Sequence, residues 1–231
     1  MEARSKALNT IPEKKLDIAL SAIKDSDDTL DNKLVKSMAI NRYAESNIPI
    51  EYWGLKMSKD FVGDPRLKEK YDEYVLDIRQ SYVSGRSICF AGQHGLGKSM
   101  TATAILKKCC LKNYSCLYSD ISNIVSIFTQ GQAEDKYLAR RELLMVDFLM
   151  IDEIDQRFFK QSDAANETFA RTLEFIIRSR TQNKLPVLMA TNSPQIKEAF
   201  ANLFKDSISS IMNKIEMFSV MPGNDFRKTV K

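Results

Sequence analysis

Eight consecutive residues, Gly92-Gln93-His94-Gly95-Leu96-Gly97-Lys98-Ser99, constrain this chain more than any other feature. They match the pattern G-x-x-x-x-G-K-[ST] in full. Ahead of them lies Ser87-Ile88-Cys89-Phe90-Ala91, a short apolar run of strand character, and behind them a helical stretch from Met100 to Leu111. Strand, glycine-rich turn and helix in that order is the context in which this pattern cradles phosphate. The glycines let backbone N–H groups face phosphate oxygens, and the helix N-terminus already favours an anion. The chain has only 8 glycines and 6 prolines in 231 residues, so a cluster of glycines here reflects a backbone requirement. Lys98 is expected to reach the β- and γ-phosphates, and the Ser99 hydroxyl to ligate Mg²⁺. Gln93, His94, Leu96 and Met100 complete the loop and the first helical turn. His94 falls on a variable position and is read as a loop residue rather than a catalytic imidazole.

Two later segments supply chemistry to such a loop. Phe148-Leu149-Met150-Ile151-Asp152-Glu153 is an apolar run that ends in two carboxylates, as expected of a buried strand opening onto a site. Asp152 is placed to hold the magnesium shell and Glu153 to polarise a water for attack on the γ-phosphate. A water-activating glutamate favours hydrolysis over transfer to a substrate hydroxyl. Leu185-Pro186-Val187-Leu188-Met189-Ala190-Thr191-Asn192 is a further buried strand with a polar end. If it lies beside the Asp152 strand, the Asn192 amide points at the same γ-phosphate region; by itself Thr-Asn after a strand also suits a turn or a helix cap.

Around these segments the periodicity alternates. Arg66 to Val83 reads as one helix, Ser115 to Ser119 as a strand, Ile121 to Gln130 as a helix, Asn166 to Arg180 as a long amphipathic helix, and Ile215 to Val220 as the last strand. Strands separated by helices predict a three-layer α/β fold around a mainly parallel five-stranded sheet. Residues 1–45 differ in texture. Leu16, Ala19, Leu20 and Ile23 predict one short amphipathic helix after Pro12, and Leu30, Leu34, Met38 and Ile40 a second. Single apolar stripes of that size must dock on the main domain or on another protein. The expected division is therefore a helical extension over 1–45 and a nucleotide-binding domain over 46–231.

Charge and cysteine content narrow the setting. There are 34 Lys and Arg against 30 Asp and Glu, a net charge of +4 that permits contact with a polyanion without requiring it. The 4 cysteines lack C-x-x-C spacing and accompany 1 histidine, which argues against structural zinc and for reduced thiols in a cytoplasmic protein. No apolar run approaches the roughly 18 residues of a membrane span, and Met1 to Thr10 lacks the apolar core of a signal peptide.

The three motifs, in this order and spacing, resemble those of AAA+ ATPases, and within that group the replicative-helicase loaders of the DnaC/DnaI type and the related IstB-type transposition ATPases. The likeness runs from about Asn47 to the C-terminus. Asn47-Ile48-Pro49-Ile50-Glu51-Tyr52-Trp53 resembles the segment that introduces the ATPase core, and Gly223-Asn224-Asp225-Phe226-Arg227 the loaders' ending. The resemblance implies ATP and Mg²⁺ as ligands, a bacterial cytoplasmic setting in a host or phage gene, and a hexameric replicative helicase and single-stranded DNA as partners. It also implies self-association through the ATPase domain and no membrane. Only about ten residues follow the last predicted strand, so a domain without the usual C-terminal helical lid is expected. Arg227 is the candidate second sensor, with a solvated tail arginine as the other reading.

Two departures stand out. Residues 1–45 contain neither Cys nor His, so the zinc-binding N-terminal domain of some loaders is not expected. The family usually carries an arginine finger before the final strand, yet Ser193 to Lys214 contains no arginine, and Ser209 or Ser210 stands where it is expected. Lys205 and Lys214 are the nearest cations, and Arg178 and Arg180 are conceivable substitutes; lysine lacks the planar bidentate fork. For DNA, the family uses the region between the two nucleotide motifs, where Phe128, Lys136, Tyr137, Arg140 and Arg141 interleave aromatics with cations. Glu134, Asp135 and Glu142 offset those charges, so a solvated, charge-balanced helix fits as well. The functional readings are a helicase loader, a transposition or DNA-remodelling ATPase, and an adaptor that binds ATP as a switch without appreciable turnover.

Overall fold

The structure is a computed structural model that describes residues 33–57, 61, 63–154, 164–193 and 211–220. The helix predicted around Leu16 to Ile23, Lys205, Ser209, Ser210 and Arg227 lie outside the described residues.

In chain order the elements are α1 (Lys33–Glu45), a 3-10 turn (Ile50–Tyr52), α2 (Pro65–Leu76), α3 (Ile78–Ser84), β1 (Ser87–Ala91), α4 (Lys98–Leu111), β2 (Cys116–Asp120), α5 (Ile121–Gln130), α6 (Ala133–Met145), β3 (Phe148–Ile154), α7 (Ala164–Gln182), β4 (Val187–Thr191) and β5 (Ile215–Ser219). The five strands form one sheet in the order β2-β3-β4-β1-β5, and every neighbouring pair is parallel. The expected α/β architecture is therefore present, with a wholly parallel sheet.

Alternation along the strands divides the core in two. Ile88 and Phe90 of β1, Phe148 and Met150 of β3, and Leu188 and Ala190 of β4 face one layer, packed with Ile105 and Leu106 of α4 and Leu67 and Tyr74 of α2. Cys89, Ala91, Leu149, Ile151, Val187 and Met189 face the other, against Ile124 of α5 and Leu173, Ile176 and Ile177 of α7. Every residue of β1 and β4 is buried, which is why these strands read as continuous apolar runs. All four cysteines are free and buried; burial pushes the Cys89 thiol up to about 12, so it stays neutral.

Several boundaries differ from the sequence reading. The helix expected over Arg66 to Val83 is two helices, because Asp77 leaves helical geometry at φ −137°, ψ 78° and its side chain caps α3 by accepting from Gln80 N at 2.8 Å. α6 had no periodic signal of its own: only Leu143 on it is buried, while Tyr137, Leu138 and Met145 are exposed. α1 docks on the main body through Ala39, Ile40, Tyr43 and Ala44, and Met38, expected on the apolar stripe, is 45% exposed. Two alanines on the docked face allow close approach to α4, and Arg42 Nη1 donates to Cys110 O at 3.2 Å at the C-terminal end of α4, where a cation is favourable.

The stretch after α1 is wedged onto α4. Trp53 is 2% exposed and its Nε1 donates to Ile48 O at 2.8 Å. Lys107 of α4 is buried, and its ammonium donates to Tyr52 O at 2.6 Å, Trp53 O at 2.8 Å and Leu55 O at 2.8 Å. A buried cation is tolerable when carbonyl dipoles replace its water. Residues 39–57 and the phosphate-loop helix are thus one packed unit. Among the described residues no helix is long and apolar enough to cross a membrane.

Candidate functional site

The glycine-rich turn leaves the carboxyl end of β1 and opens α4, so its residues stand over the end of the sheet. Gly97, the residue before α4, has φ 89°, a conformation L side chains rarely adopt, and a Cβ there would lie 3.1 Å from the Phe61 ring. The root of the turn is anchored on both sides: Gly92 N donates to Thr191 O at 3.3 Å and Val220 N to Ala91 O at 2.7 Å. Lys98 is 4% exposed, and its ammonium lies across the turn, donating to Gln93 O at 2.5 Å.

β4 separates β1 from β3, so the glycine-rich turn and the Asp152 carboxylate meet over the end of a strand that belongs to neither. Asp152 is 3% exposed. Its Oδ1 accepts from Ser99 Oγ at 2.9 Å and from Glu153 N at 2.8 Å, and its Oδ2 accepts from Tyr118 Oη at 2.8 Å. A hydroxyl and a carboxylate oxygen within 3 Å of each other form a hard oxygen set of the kind magnesium takes, with waters and substrate phosphates filling the other positions. Burial, then the Asp152 charge, raises the Tyr118 phenol well above its ordinary range; the same two causes raise Tyr52. Both phenols therefore stay protonated, and Tyr118 acts as a donor to the carboxylate.

Glu153 is the residue at which β3 departs from regular geometry. Its φ is 56°, and the pairing of β3 with β4 slips in register between Ile151 and Ile154. A bulge at this point re-aims the side chain, and Glu153 is exposed while its neighbours Asp152 and Ile154 are buried. The strand runs one residue past the two carboxylates, to Ile154. Beside it, the Thr191 hydroxyl donates to Ile154 O at 2.5 Å and accepts from Ser193 N at 3.0 Å. These bonds hold the end of β4 on both sides of Asn192, which is half-buried between two buried residues. β4 does lie beside β3, as the geometric condition on Asn192 required.

Other candidates are placed differently. Phe128 is half-buried against the second core layer, and the Arg140 guanidinium stacks over the Phe175 ring at 4.3 Å. Arg141 is exposed and Lys136 half-buried. The expectation that Arg180 can substitute for an arginine finger is corrected. Arg180 is fully buried, and its guanidinium donates to Leu143 O, Val146 O, Asp147 O and Pro186 O at 2.8 to 3.1 Å. Burial lowers its pKa to about 10, which leaves it charged and committed to those carbonyls at neutral pH. Arg178 pairs with Glu174 at 2.6 Å on the surface of α7.

The sequence reading gave no role to Tyr118, whose hydroxyl reaches the carboxylate, or to the Thr191 hydroxyl within the third motif. Both find their partners through strand order, which pattern alone does not reveal.

A direct sequence comparison with curated proteins found no match. Among solved structures the fold is similar to the DnaC helicase loader, at 18% identity and a TM-score of 0.58 over 74% of this chain and 99% of that one. It is similar to DnaI at 16% identity and a TM-score of 0.57, over 75% and 95%. It is also similar to the replication initiator DnaA bound to AMPPCP and single-stranded DNA, at 15% identity and a TM-score of 0.57, over 74% and 51%. The chain spans about half the length of the replication-initiation structures it matches. The model of the ATPase family associated with various cellular activities (AAA) matches residues 88–210. That span takes in just over half of the chain and runs from the strand before the glycine-rich turn past Asp152, Glu153 and Asn192; the chain belongs to the AAA family of ATPases.

Proposed function

We propose that this protein is an ATP-dependent loader of a hexameric replicative helicase, one that binds and hydrolyses ATP at Gly92 to Ser99 and assists placement of the ring on single-stranded DNA. The observation that carries the nucleotide half is the 2.9 Å contact between the Ser99 hydroxyl and Asp152, which joins the phosphate-loop motif to the carboxylate motif. In this reading the backbone from Gly92 to Gly97 wraps the phosphates, and Lys98 leaves Gln93 O for the β- and γ-phosphates. Ser99 and Asp152 would hold magnesium, which would supply positive charge against the phosphates. Glu153, aimed out of the sheet by the bulge, takes the proton of the attacking water. Asn192, fixed from both sides, orients that water, and Arg227 is the candidate second sensor.

The loader half is supported by the fold shared with DnaC and DnaI, and the DNA half by the DnaA structure that contains single-stranded DNA. Residues 1–45 are the proposed helicase-binding extension, with 46–231 the ATPase domain. Within the extension, residues 39–45 also serve as core of the ATPase body, so a deletion that spares folding removes only residues 1–32. The test is co-purification with a ring helicase in the presence of ATP. The expected result is capture by the full chain, loss of capture on deleting 1–32, and weakened capture by Lys98→Ala. No capture by the full chain would refute the loader reading, and equal capture by all three would remove residues 1–32 and ATP from it.

A further inference from the structure

One side chain ties the nucleotide side of the molecule to its amino-terminal part and is not used by the mechanism above. Tyr118 lies on β2, an edge strand of the sheet. Its hydroxyl crosses to β3 and donates to Asp152 Oδ2 at 2.8 Å in a buried contact. Its backbone faces the open edge, where Tyr118 N donates to Ser46 O at 2.8 Å and Tyr118 O accepts from Asn47 Nδ2 at 3.1 Å. These two bonds satisfy edge groups that a further strand would otherwise pair. Asn47 presents its amide there with φ 55°, a left-handed conformation that asparagine tolerates better than most residues. Ser46 and Asn47 directly follow the last residue of α1, Glu45.

The division of labour on the Asp152 carboxylate gives this tie a consequence. Oδ1 carries Ser99 and the Glu153 amide, while Oδ2 carries the tyrosine. Rotation about the Cβ–Cγ bond would break all of these bonds together. With Oδ2 held, Oδ1 stays opposite the serine hydroxyl.

We propose that Tyr118 is a positioning residue that fixes the rotation of the Asp152 carboxylate towards Ser99 and, through Ser46 and Asn47, makes that orientation depend on how α1 is seated. The inference rests on the reading of Ser99 and Asp152 as the magnesium side of an ATP site. A partner that shifts α1 reaches the site through two backbone-edge hydrogen bonds and one phenol ring, with no large rearrangement of the sheet.

The experiment uses the full chain and a fluorescent ATP analogue, titrated with MgCl₂ and, separately, in EDTA. Tyr118→Phe keeps the ring and removes the hydroxyl. Loss of an outer-shell partner typically weakens a metal site about tenfold or more, so the Mg²⁺ midpoint should rise by about that factor while affinity in EDTA stays unchanged. Asn47→Gly keeps the left-handed backbone accessible, removes the amide, and should move the midpoint in the same direction by less. An unchanged midpoint in Tyr118→Phe overturns the proposal, as does an equal loss with and without Mg²⁺, which is the signature of packing alone. An unchanged midpoint in Asn47→Gly overturns the link to α1. Lys98→Ala tests the underlying reading separately: if it binds the analogue as the wild type does, the site assignment fails whatever Tyr118 does.

Discussion

The Ser99 hydroxyl meets Asp152 Oδ1 at 2.9 Å across 53 positions of sequence, although the strands that lead to the two residues are not neighbours. β4 lies between them and brings Asn192 to the same end of the sheet. A parallel sheet places the carboxyl ends of its strands together, and ligands of open α/β sheets bind at that edge. The contact is therefore a product of topology acting on two local motifs.

Glu153→Gln separates binding from chemistry. The amide is nearly isosteric, so the bulge at φ 56° and the Asp152 contacts remain. It cannot take a proton, and general-base catalysis is typically worth about 10² to 10⁴. Nucleotide affinity should be unchanged and single-turnover hydrolysis slower by about that factor. A variant that hydrolyses at the wild-type rate would remove Glu153 from the mechanism.

Arg180 is expected to be structural. Replacing it with methionine strips a donor from Leu143, Val146, Asp147 and Pro186 carbonyls that are held inside the protein. Leaving buried acceptors unpaired costs about 1–3 kcal/mol each before relaxation. A loss of about 3 kcal/mol or more, read as urea midpoint at constant slope, is the expected outcome. A stability change below about 0.5 kcal/mol, the range of ordinary surface substitutions, would contradict the role assigned to the guanidinium.

Acid should selectively remove one ion-pair cluster. Glu216 on β5 accepts from Lys70 and Arg86 at 2.7 Å each. Partial burial opposes its ionisation, but those two bonds outweigh burial and lower its pKa. A carboxylate whose folded pKa is depressed contributes stability above its unfolded value, near 4.3, and loses it as pH falls through the lower folded value. With Glu216 about a third exposed, the cluster is worth about 1 kcal/mol at neutral pH. Glu216→Gln should therefore be less stable than wild type at pH 7, with the difference closing below about pH 4. Parallel stability curves across that range would show that the pairs contribute nothing.

What could be read from the sequence was whatever depends on contiguous residues. The glycine-rich motif was legible because it is one short contiguous segment, and β1 and β4 because a strand buried on both faces leaves an unbroken apolar run. Tyr118 was not legible: a tyrosine in a short strand acquires its partner only when β2 is laid beside β3. Arg180 was misjudged because an arginine at a helix end is usually exposed, and its four carbonyl partners come from residues 143–147 and from Pro186. The break at Asp77 lacks glycine and proline, so nothing in the pattern marked it.

DNA binding, if it uses α6, should depend on Arg141 and Arg140 unequally. Both side chains are exposed, but Arg140 is stacked on Phe175 and already partly committed. For single strands each neutralised phosphate contributes about 0.7 to the slope of log affinity against log salt. Arg141→Ala should lower the slope by about 0.7 and Arg140→Ala by less. Unchanged slopes in both would move the DNA surface off this helix.

The last prediction concerns turnover between subunits. An arginine supplied by a neighbour typically raises γ-phosphate hydrolysis by about 10³ to 10⁵, because it meets the charge that develops on the equatorial oxygens. The segment from Ser193 to Lys214 contains no arginine, and Arg180 is buried on backbone carbonyls. Of the cations considered, Arg178 on the surface of α7 and exposed Lys214 remain among the described residues, and Arg178 is paired with Glu174. Stacked copies should then help one another little, and the rate per subunit should be low and nearly independent of protein concentration. ATP binding would act chiefly as a switch, favouring the complex with helicase or DNA until slow hydrolysis or partner contact releases it. The measurement is steady-state hydrolysis against protein concentration for wild type, Arg178→Ala, Lys205→Ala and Lys214→Ala. A flat profile in wild type, unaltered by any substitution, is expected; a steep rise abolished by one of them would identify that side chain as a finger and reverse the conclusion.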